Sequence, residues 1–331
     1  MTLTHLLVGP RPHGVVRFGW DLHEMMQAAG FAVRRQWAAH FGSLTTAGAA
    51  GAIHLQFTDR LFGTCPEDAA ALVTSLAAAH PGRVTATLHD LPQPSDGTNF
   101  SRRTAAYAAV ADACDGIAVS SDHERELMRD SGIHASQVAV IPLPIAPRVT
   151  SRPAGRPRRS VGVFGYLYPG KGHAEVLAAA AEFAGLDVVA IGESSPGHAD
   201  LVTELKEAAE RRGGVFEVTG FVPDSRLVPM LQEVAVPVVA HRHVSASGSI
   251  NSWLSAGRRP LAATNRYTVE FESRNPGSLT LYPDTPVGLR DAIGVALAAP
   301  ATTWLDADTV LSPAPERVAR LYHDFFAMRR P

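Results

Sequence analysis

Val161-Gly162-Val163-Phe164-Gly165-Tyr166-Leu167-Tyr168-Pro169-Gly170-Lys171-Gly172 decides the fold. An apolar run, Val161–Gly165, reads as a buried strand. A glycine-rich turn follows, and Ala174–Ala184 then takes up helical spacing. Glycines in such a turn let the backbone approach a phosphate, and the helix N-terminus behind it favours negative charge. Lys171 adds a compact cation. The chain holds 30 basic residues, of which only Lys171 and Lys206 are lysine. A lysine kept in so arginine-biased a chain favours a site that wants a point charge rather than a planar fork. A plain glycine turn with a solvated lysine is the alternative.

The alternation continues on both sides. Toward the C-terminus, strands are expected at Val188–Gly192, Val215–Gly220, Val236–Ala240 and Leu261–Thr264. Helices are expected at Leu201–Arg212, Arg226–Val234 and Ile250–Ala256. Toward the N-terminus, strands are expected at His5–Gly9, Ile53–Phe57, Val84–Leu88, Gly116–Ser120 and Val138–Pro142. Helices there are Val15–Ala29, Glu67–Ala79, Thr104–Ala113 and Asp122–Ser131. Strands alternating with helices of this length indicate parallel sheets wound by crossovers. Residues 148–159, rich in proline, glycine and arginine, read as a linker. The expected organisation is α/β: an N-terminal domain over 1–147, the linker, and a C-terminal domain over 160–314. Pro315–Arg330 is a further amphipathic helix.

Composition narrows the function. The chain has 331 residues, 46% hydrophobic and 19% charged, with a net charge of −2. That excludes a disordered chain and a global field for nucleic acid or an anionic membrane. No apolar run is long enough to span a bilayer, and Met1–Gly9 has no basic stretch leading into an apolar core. Cys65 and Cys114 form no Cys-x-x-Cys pair, so a reduced, cytoplasmic protein is expected.

Lys171 nearly completes a P-loop, but Gly172 stands where that motif needs a hydroxyl for Mg²⁺. A P-loop NTPase using Gly165–Lys171 is kept as an alternative. A second anion site is expected where Val236–Ala240 leads into His241-Arg242-His243 and then Ser247-Gly248-Ser249, three small residues suited to a helix N-cap with exposed amides. His241 and His243 could pair on a metal, but no third ligand is evident. His89, at the carboxyl end of Val84–Leu88, can hydrogen-bond a substrate hydroxyl or move a proton. Asp306-x-Asp308 has no strand before it and reads as a loop.

In order and spacing these motifs resemble a GT-B glycosyltransferase of the family-4 type. The resemblance spans nearly the whole chain, from the loop ending in Gly14 through Leu88-His89-Asp90 and Gly165…Lys171-Gly172 to Gly220-Phe221-Val222 and Ala256-Gly257-Arg258-Arg259-Pro260. It implies two Rossmann-like domains facing across a cleft, the first for an acceptor and the second for a nucleotide sugar. It implies a metal-independent hexosyltransferase that works with retention and without a cofactor, its co-substrate a UDP- or GDP-linked sugar. Residue by residue, it implies that Lys171 and the amides of Ser247, Gly248 and Ser249 hold the diphosphate, and that Gly165 and Tyr166 border it. Phe221, Val222 and Leu227 would lie by the base. Gly14 and His89 would close the site from the first domain, with His89 and Lys171 in the catalytic roles, and the last helix would pack back on that domain. The family has arginine at the position of Tyr166, for which Arg242 could substitute. It also has a pair of glutamates where this chain has Val244 and Ser252. A relative that binds nucleotide or carbohydrate without transfer is therefore a further alternative. Arg11, His13, Arg17, Arg60, Arg102 and Arg103, in the loops that should meet the acceptor, suit a small molecule or glycan with an acidic group.

Overall fold

A computed structural model describes residues 3–44, 51–155, 157–241 and 245–328. The chain divides into two compact units. Unit 1 runs to Pro144 and includes Pro313 onward; unit 2 is Ile145–Ser312.

Unit 1 contains β1 (Leu3–Val8), α1 (Gly14–Ala28), β2 (Val33–Ala38), β3 (Ala52–Phe57), α2 (Asp59–Phe62), α3 (Pro66–Ala79) and β4 (Val84–Leu88). It continues with α4 (Phe100–Ala113), β5 (Gly116–Val119), α5 (Asp122–Asp130) and β6 (Val138–Val140). Unit 2 opens with β7 (Arg158–Phe164), α6 (His173–Ala180), β8 (Asp187–Ile191), α7 (Ala199–Glu210), β9 (Phe216–Val218) and α8 (Asp224–Glu233). Then come β10 (Val234–Val239), α9 (Gly248–Ser255), β11 (Leu261–Ala263), α10 (Arg266–Arg274), β12 (Thr280–Tyr282) and α11 (Pro286–Ala298). The chain then returns to unit 1 as α12 (Pro315–Ala327).

Each unit holds a six-stranded sheet, ordered β2-β1-β3-β4-β5-β6 in the first and β12-β11-β10-β7-β8-β9 in the second. Every strand pair is parallel. The central strands are apolar on both faces because helices cover both, as parallel crossovers require. β1 and β3 are buried along their whole length. The direction of winding reverses between β1 and β3, and again between β10 and β7. Ligands of open α/β sheets bind beyond the carboxyl ends of the strands at such reversals.

α12 belongs to unit 1 by packing. Val318, Ala319, Tyr322, Phe325 and Phe326 form one buried cluster with Leu3, Leu22, Met26 and Ile141. The Tyr322 hydroxyl also bonds Thr87 Oγ1 at 2.9 Å, and Thr87 Oγ1 meets His54 Nε2 at 3.0 Å.

The expected linker is shorter than its composition suggests. Arg158 and Arg159 begin β7 rather than precede it. Arg158 is held to Asp187 at 2.9 Å and Glu217 at 2.5 Å, so its charge is matched within unit 2. Arg148 and Arg152 donate to the carbonyls of Asp306, Ala307 and Leu305, which leaves this stretch laid on unit 2. Asp306 also takes the Arg259 guanidinium at 2.5 Å, a loop-tying role.

Candidate functional site

Lys171 stands at the reversal point of the unit 2 sheet, in the loop between β7 and α6. Two glycines make its position possible. Gly165 has φ +113°, and a Cβ there would lie 3.1 Å from Lys171 Nζ. Gly172, the N-cap of α6, has φ +92°, and its Cβ would lie 2.1 Å from the Ala240 carbonyl. Only glycine therefore lets this turn press against the end of β10. The result is a lysine only 6% exposed whose Nζ meets His241 Nε2 just beyond β10. Burial lowers the Lys171 amine to about 7, with no carboxylate opposing it. His173, at the start of α6, is lowered to about 3, by burial first and by Lys171 second. A basic cluster without a counter-ion is a site prepared for an anion.

The same sheet edge carries the N-terminus of α9. Ser247 is its N-cap: the side chain accepts from Ile250 N at 3.4 Å and meets Ser249 Oγ at 3.0 Å. Ser247 N donates to the Tyr267 hydroxyl at 3.1 Å, a contact the sequence does not announce. The amides of Gly248 and Ser249 belong to the first helical turn, whose donors have no partner within the helix. Ser252 lies one turn on and donates back to the Gly248 carbonyl at 3.2 Å. Beyond β9, Phe221 is 67% exposed, while Val222 and Leu227 are half-buried against the unit 2 core. Tyr166 is half-buried and shares a hydrogen bond with Glu193. Arg242, His243 and Val244 lie outside the described residues.

The P-loop reading lacks its parts. His241 rather than an acid follows β10, and the hydroxyl is missing at Gly172. Among the described residues, no group of three or more His, Cys, Asp or Glu side chains is placed to hold a metal ion, and no helix is long and apolar enough to cross a membrane.

Unit 1 presents a second constellation at the carboxyl ends of its strands. His89 follows β4 and is 8% exposed. Its Nε2–H donates to Gln56 Oε1 at 2.8 Å, which leaves Nδ1 as the acceptor. Its carbonyl accepts from the Tyr107 hydroxyl at 2.6 Å, and its ring meets Phe18 edge-on at 5.7 Å. Burial lowers the imidazole to about 4, so it is neutral at physiological pH; the Asp90 charge opposes the shift and His13 adds to it. Asp90 has φ +50°, the one positive φ outside glycine among the described residues. A non-glycine residue held there marks a constrained turn. His13 caps α1, its Nδ1 accepting from Val15 N at 3.3 Å, and Gly14 opens that helix with open space around it. Arg11 lies over the Trp20 ring at 3.9 Å, and Arg17 and Arg60 are exposed.

Arg102 and Arg103 are not open forks. Arg103 is 7% exposed and grips Asp59 through two bonds of 3.1 Å, with Asp96 at 2.5 Å and the Asp90 carbonyl at 2.6 Å. Arg102 is bidentate to Glu67 at 2.7 and 2.8 Å. In this structure carboxylates of the chain itself pair with both, Arg102 at the surface and Arg103 inside. Arg103 ties together the turns that follow β3 and β4, and so fixes the turn that carries His89.

No protein-family model matches the chain, and no curated relative was found. Solved structures do resemble it. The Anabaena protein HepE, in complex with UDP and glucose, is 16% identical with a TM-score of 0.73, over 99% of this chain and 100% of that one. The sucrose-phosphate synthase of Thermosynechococcus elongatus is 16% identical with a TM-score of 0.69, over 98% and 95%. The pneumococcal O-GlcNAc transferase GtfA, in complex with UDP and GlcNAc, is 12% identical with a TM-score of 0.57, over 83% of this chain and 56% of that one. This likeness shows the fold: an α/β chain with two parallel six-stranded sheets, of the GT-B type.

Proposed function

On the premise of that fold, we propose that the chain is a glycosyltransferase that moves a hexose from a nucleoside-diphosphate sugar to a hydroxyl acceptor. The observation that carries this reading is the buried Lys171 at the strand reversal of unit 2, on whose amine no carboxylate acts, with the N-terminus of α9 at the same end of the sheet. A diphosphate supplies the missing counter-charge. The complexes of the similar structures with UDP and UDP-glucose support a uridine donor.

In this reading the anomeric C–O bond to the β-phosphate and the acceptor O–H bond break, the bond from the anomeric carbon to the acceptor oxygen forms, and the proton leaves with the departing diphosphate. Negative charge grows on the leaving diphosphate. Lys171 and the Gly248 and Ser249 amides stabilise that charge where it develops, which is the main electrostatic route to a faster transfer. At about 4 Å and an effective dielectric near 20, one such charge pair is worth roughly 4 kcal/mol before desolvation. Phe221 offers an exposed ring to the base. His89, neutral and with Nδ1 open as an acceptor, meets the transferred sugar or the attacking hydroxyl. We read the transfer as family-4-like and retaining, by the likeness of its motifs to that family, and as metal-independent, since protein donors are placed to meet the leaving charge. Unit 1 is the acceptor domain and unit 2 the donor domain, and the protein works in the cytoplasm.

A thermal-shift comparison of UDP and GDP with ATP plus Mg²⁺ tests this. Ligand at 100 times its Kd stabilises the folded state by about 2.7 kcal/mol. UDP or GDP should raise the melting temperature without metal. Stabilisation by ATP–Mg²⁺ alone would restore the NTPase reading. UDP binding with no sugar transferred to any hydroxyl, and no donor hydrolysis, would instead make the protein a binding relative of these enzymes.

A further inference from the structure

Lys171 and His241 come from loops 70 residues apart, and their side-chain nitrogens are in contact inside the protein. The groups found at this contact among the described residues are basic or neutral. His173 comes from α6, and its two ring nitrogens have no hydrogen-bond partner among the described residues. The Tyr168 ring, from the same loop as Lys171, lies 6.0 Å from Nζ. His241 Nδ1 likewise has no partner among the described residues. Glu193, beyond β8, bonds Tyr166, and the Glu175 charge is felt by Tyr282; burial is the only influence resolved on the Lys171 amine. Three nitrogen bases thus share one enclosed site with no acid among them.

We propose that His241 is a positioning residue for Lys171, and that the nucleotide diphosphate enters this site together with one proton taken from solvent. The inference rests on the donor-site reading above. A buried cation with no counter-ion is expensive, so the empty site favours an uncharged cluster. The arriving diphosphate reverses that preference. The lone pair of Lys171 Nζ takes a proton from bulk water or buffer and forms an N–H bond. The resulting ammonium donates to His241 Nε2 on one side and to the phosphate on the other. His241 thereby fixes where the charge stands. Its own protonation is opposed by burial, by Lys171 and by His173.

The sign follows from linkage. Burial alone brings the free amine to about 7. Below that pH the site is already charged and binding takes up no proton. Above it, affinity should fall as pH rises, by about tenfold per pH unit while the bound form keeps its proton.

Calorimetry of UDP binding at pH 8, in buffers of low and high ionisation enthalpy, reads the proton directly, because UDP is fully ionised there. The wild-type protein should take up close to one proton. Lys171→Met should take up none. His241→Leu should bind about tenfold more weakly, one pKa unit's worth of coupling. His241→Gln, which keeps an acceptor oxygen, should recover most of that loss. Wild-type binding without proton uptake overturns the proposal, as does a His241→Leu protein that binds as tightly as wild type. If His241→Leu fails to fold, the wild-type proton count decides alone. If neither UDP nor GDP binds the wild-type protein, the donor-site reading itself falls, and this inference with it.

Discussion

Arg103 and His89 show how two neighbouring polar residues divide between scaffold and chemistry. Both are buried, and both sit at the carboxyl edge of the unit 1 sheet. Every donor face of Arg103 is met by Asp59, Asp96 or a carbonyl, whereas His89 Nδ1 has no hydrogen-bond partner among the described residues. Breaking a buried pair by removing one partner costs about 3–5 kcal/mol, because the other charge stays behind. Arg103→Ala should therefore lower the urea midpoint strongly. His89→Ala leaves Gln56 Oε1 without its partner, so it should lower the midpoint too, but by less than Arg103→Ala, while cutting kcat far more than UDP affinity, since the interaction belongs to the reacting groups. Equal turnover in the His89 variant would remove its role. Sequence shows the residue types here but not their partners. Asp59 lies 44 residues before Arg103, and nothing in the spacing announces the pair. His241 was legible as a polar residue beyond a strand, but its contact with Lys171 exists only once β10 is laid beside β7.

At the scale of the element, α9 carries the sharpest test. Gly248 is its first residue, after an extended Ser247 with φ −133° and ψ 95°. Proline is tolerated best at this helical position, where the amide has no helical partner. A Cβ at Gly248 would meet nothing within 4 Å. Gly248→Pro should thus keep the fold and remove one amide from the diphosphate. A hydrogen bond to a charged group is worth about 1.5–3 kcal/mol, so UDP should bind at least about tenfold more weakly. Ser252→Ala should cost only a few-fold. If titration finds Ser252→Ala the more damaging, the diphosphate does not sit on this helix. The buried strands were readable because their apolar runs are continuous. β2, Val-Arg-Arg-Gln-Trp-Ala, was not, since it lies at the sheet edge and carries polar side chains outward. Past Leu261–Thr264, α10, β12 and α11 also escaped, being short or only weakly patterned.

For the whole molecule, acidity is the exposed weakness. Unit 1 buries His5, His54 and His89; unit 2 buries His173 and His241. Burial lowers His5 to about 3 and His89 to about 4, and pulls His54 down as well. His173 falls to about 3, and His241 is lowered too. Between the folded values and about 6.5 the unfolded chain binds more protons than the folded one, so stability rises with pH there. It is fully present above about 6.5 and is lost as pH falls toward 4. From pH 7 to pH 5 a histidine held at about 3 or 4, as His5, His89 and His173 are, withdraws about 2 kcal/mol. The urea midpoint should therefore drop steeply between pH 7 and pH 5. A flat profile would mean that these rings are hydrated in solution.

The return of α12 to unit 1 makes unit 2 an insertion within the first unit's chain. A ribosome delivers the chain from one end, and domains tend to close as they emerge. Everything unit 2 needs, from Ile145 to Ser312, has been made before α12 exists. Unit 1 begins first yet finishes last: Leu3, Leu22 and Met26 wait for Tyr322, Phe325 and Phe326 to cover them. Throughout that interval the half-built unit shows the nascent-chain machinery an apolar face, and a chaperone would find its binding surface on the older half of the protein.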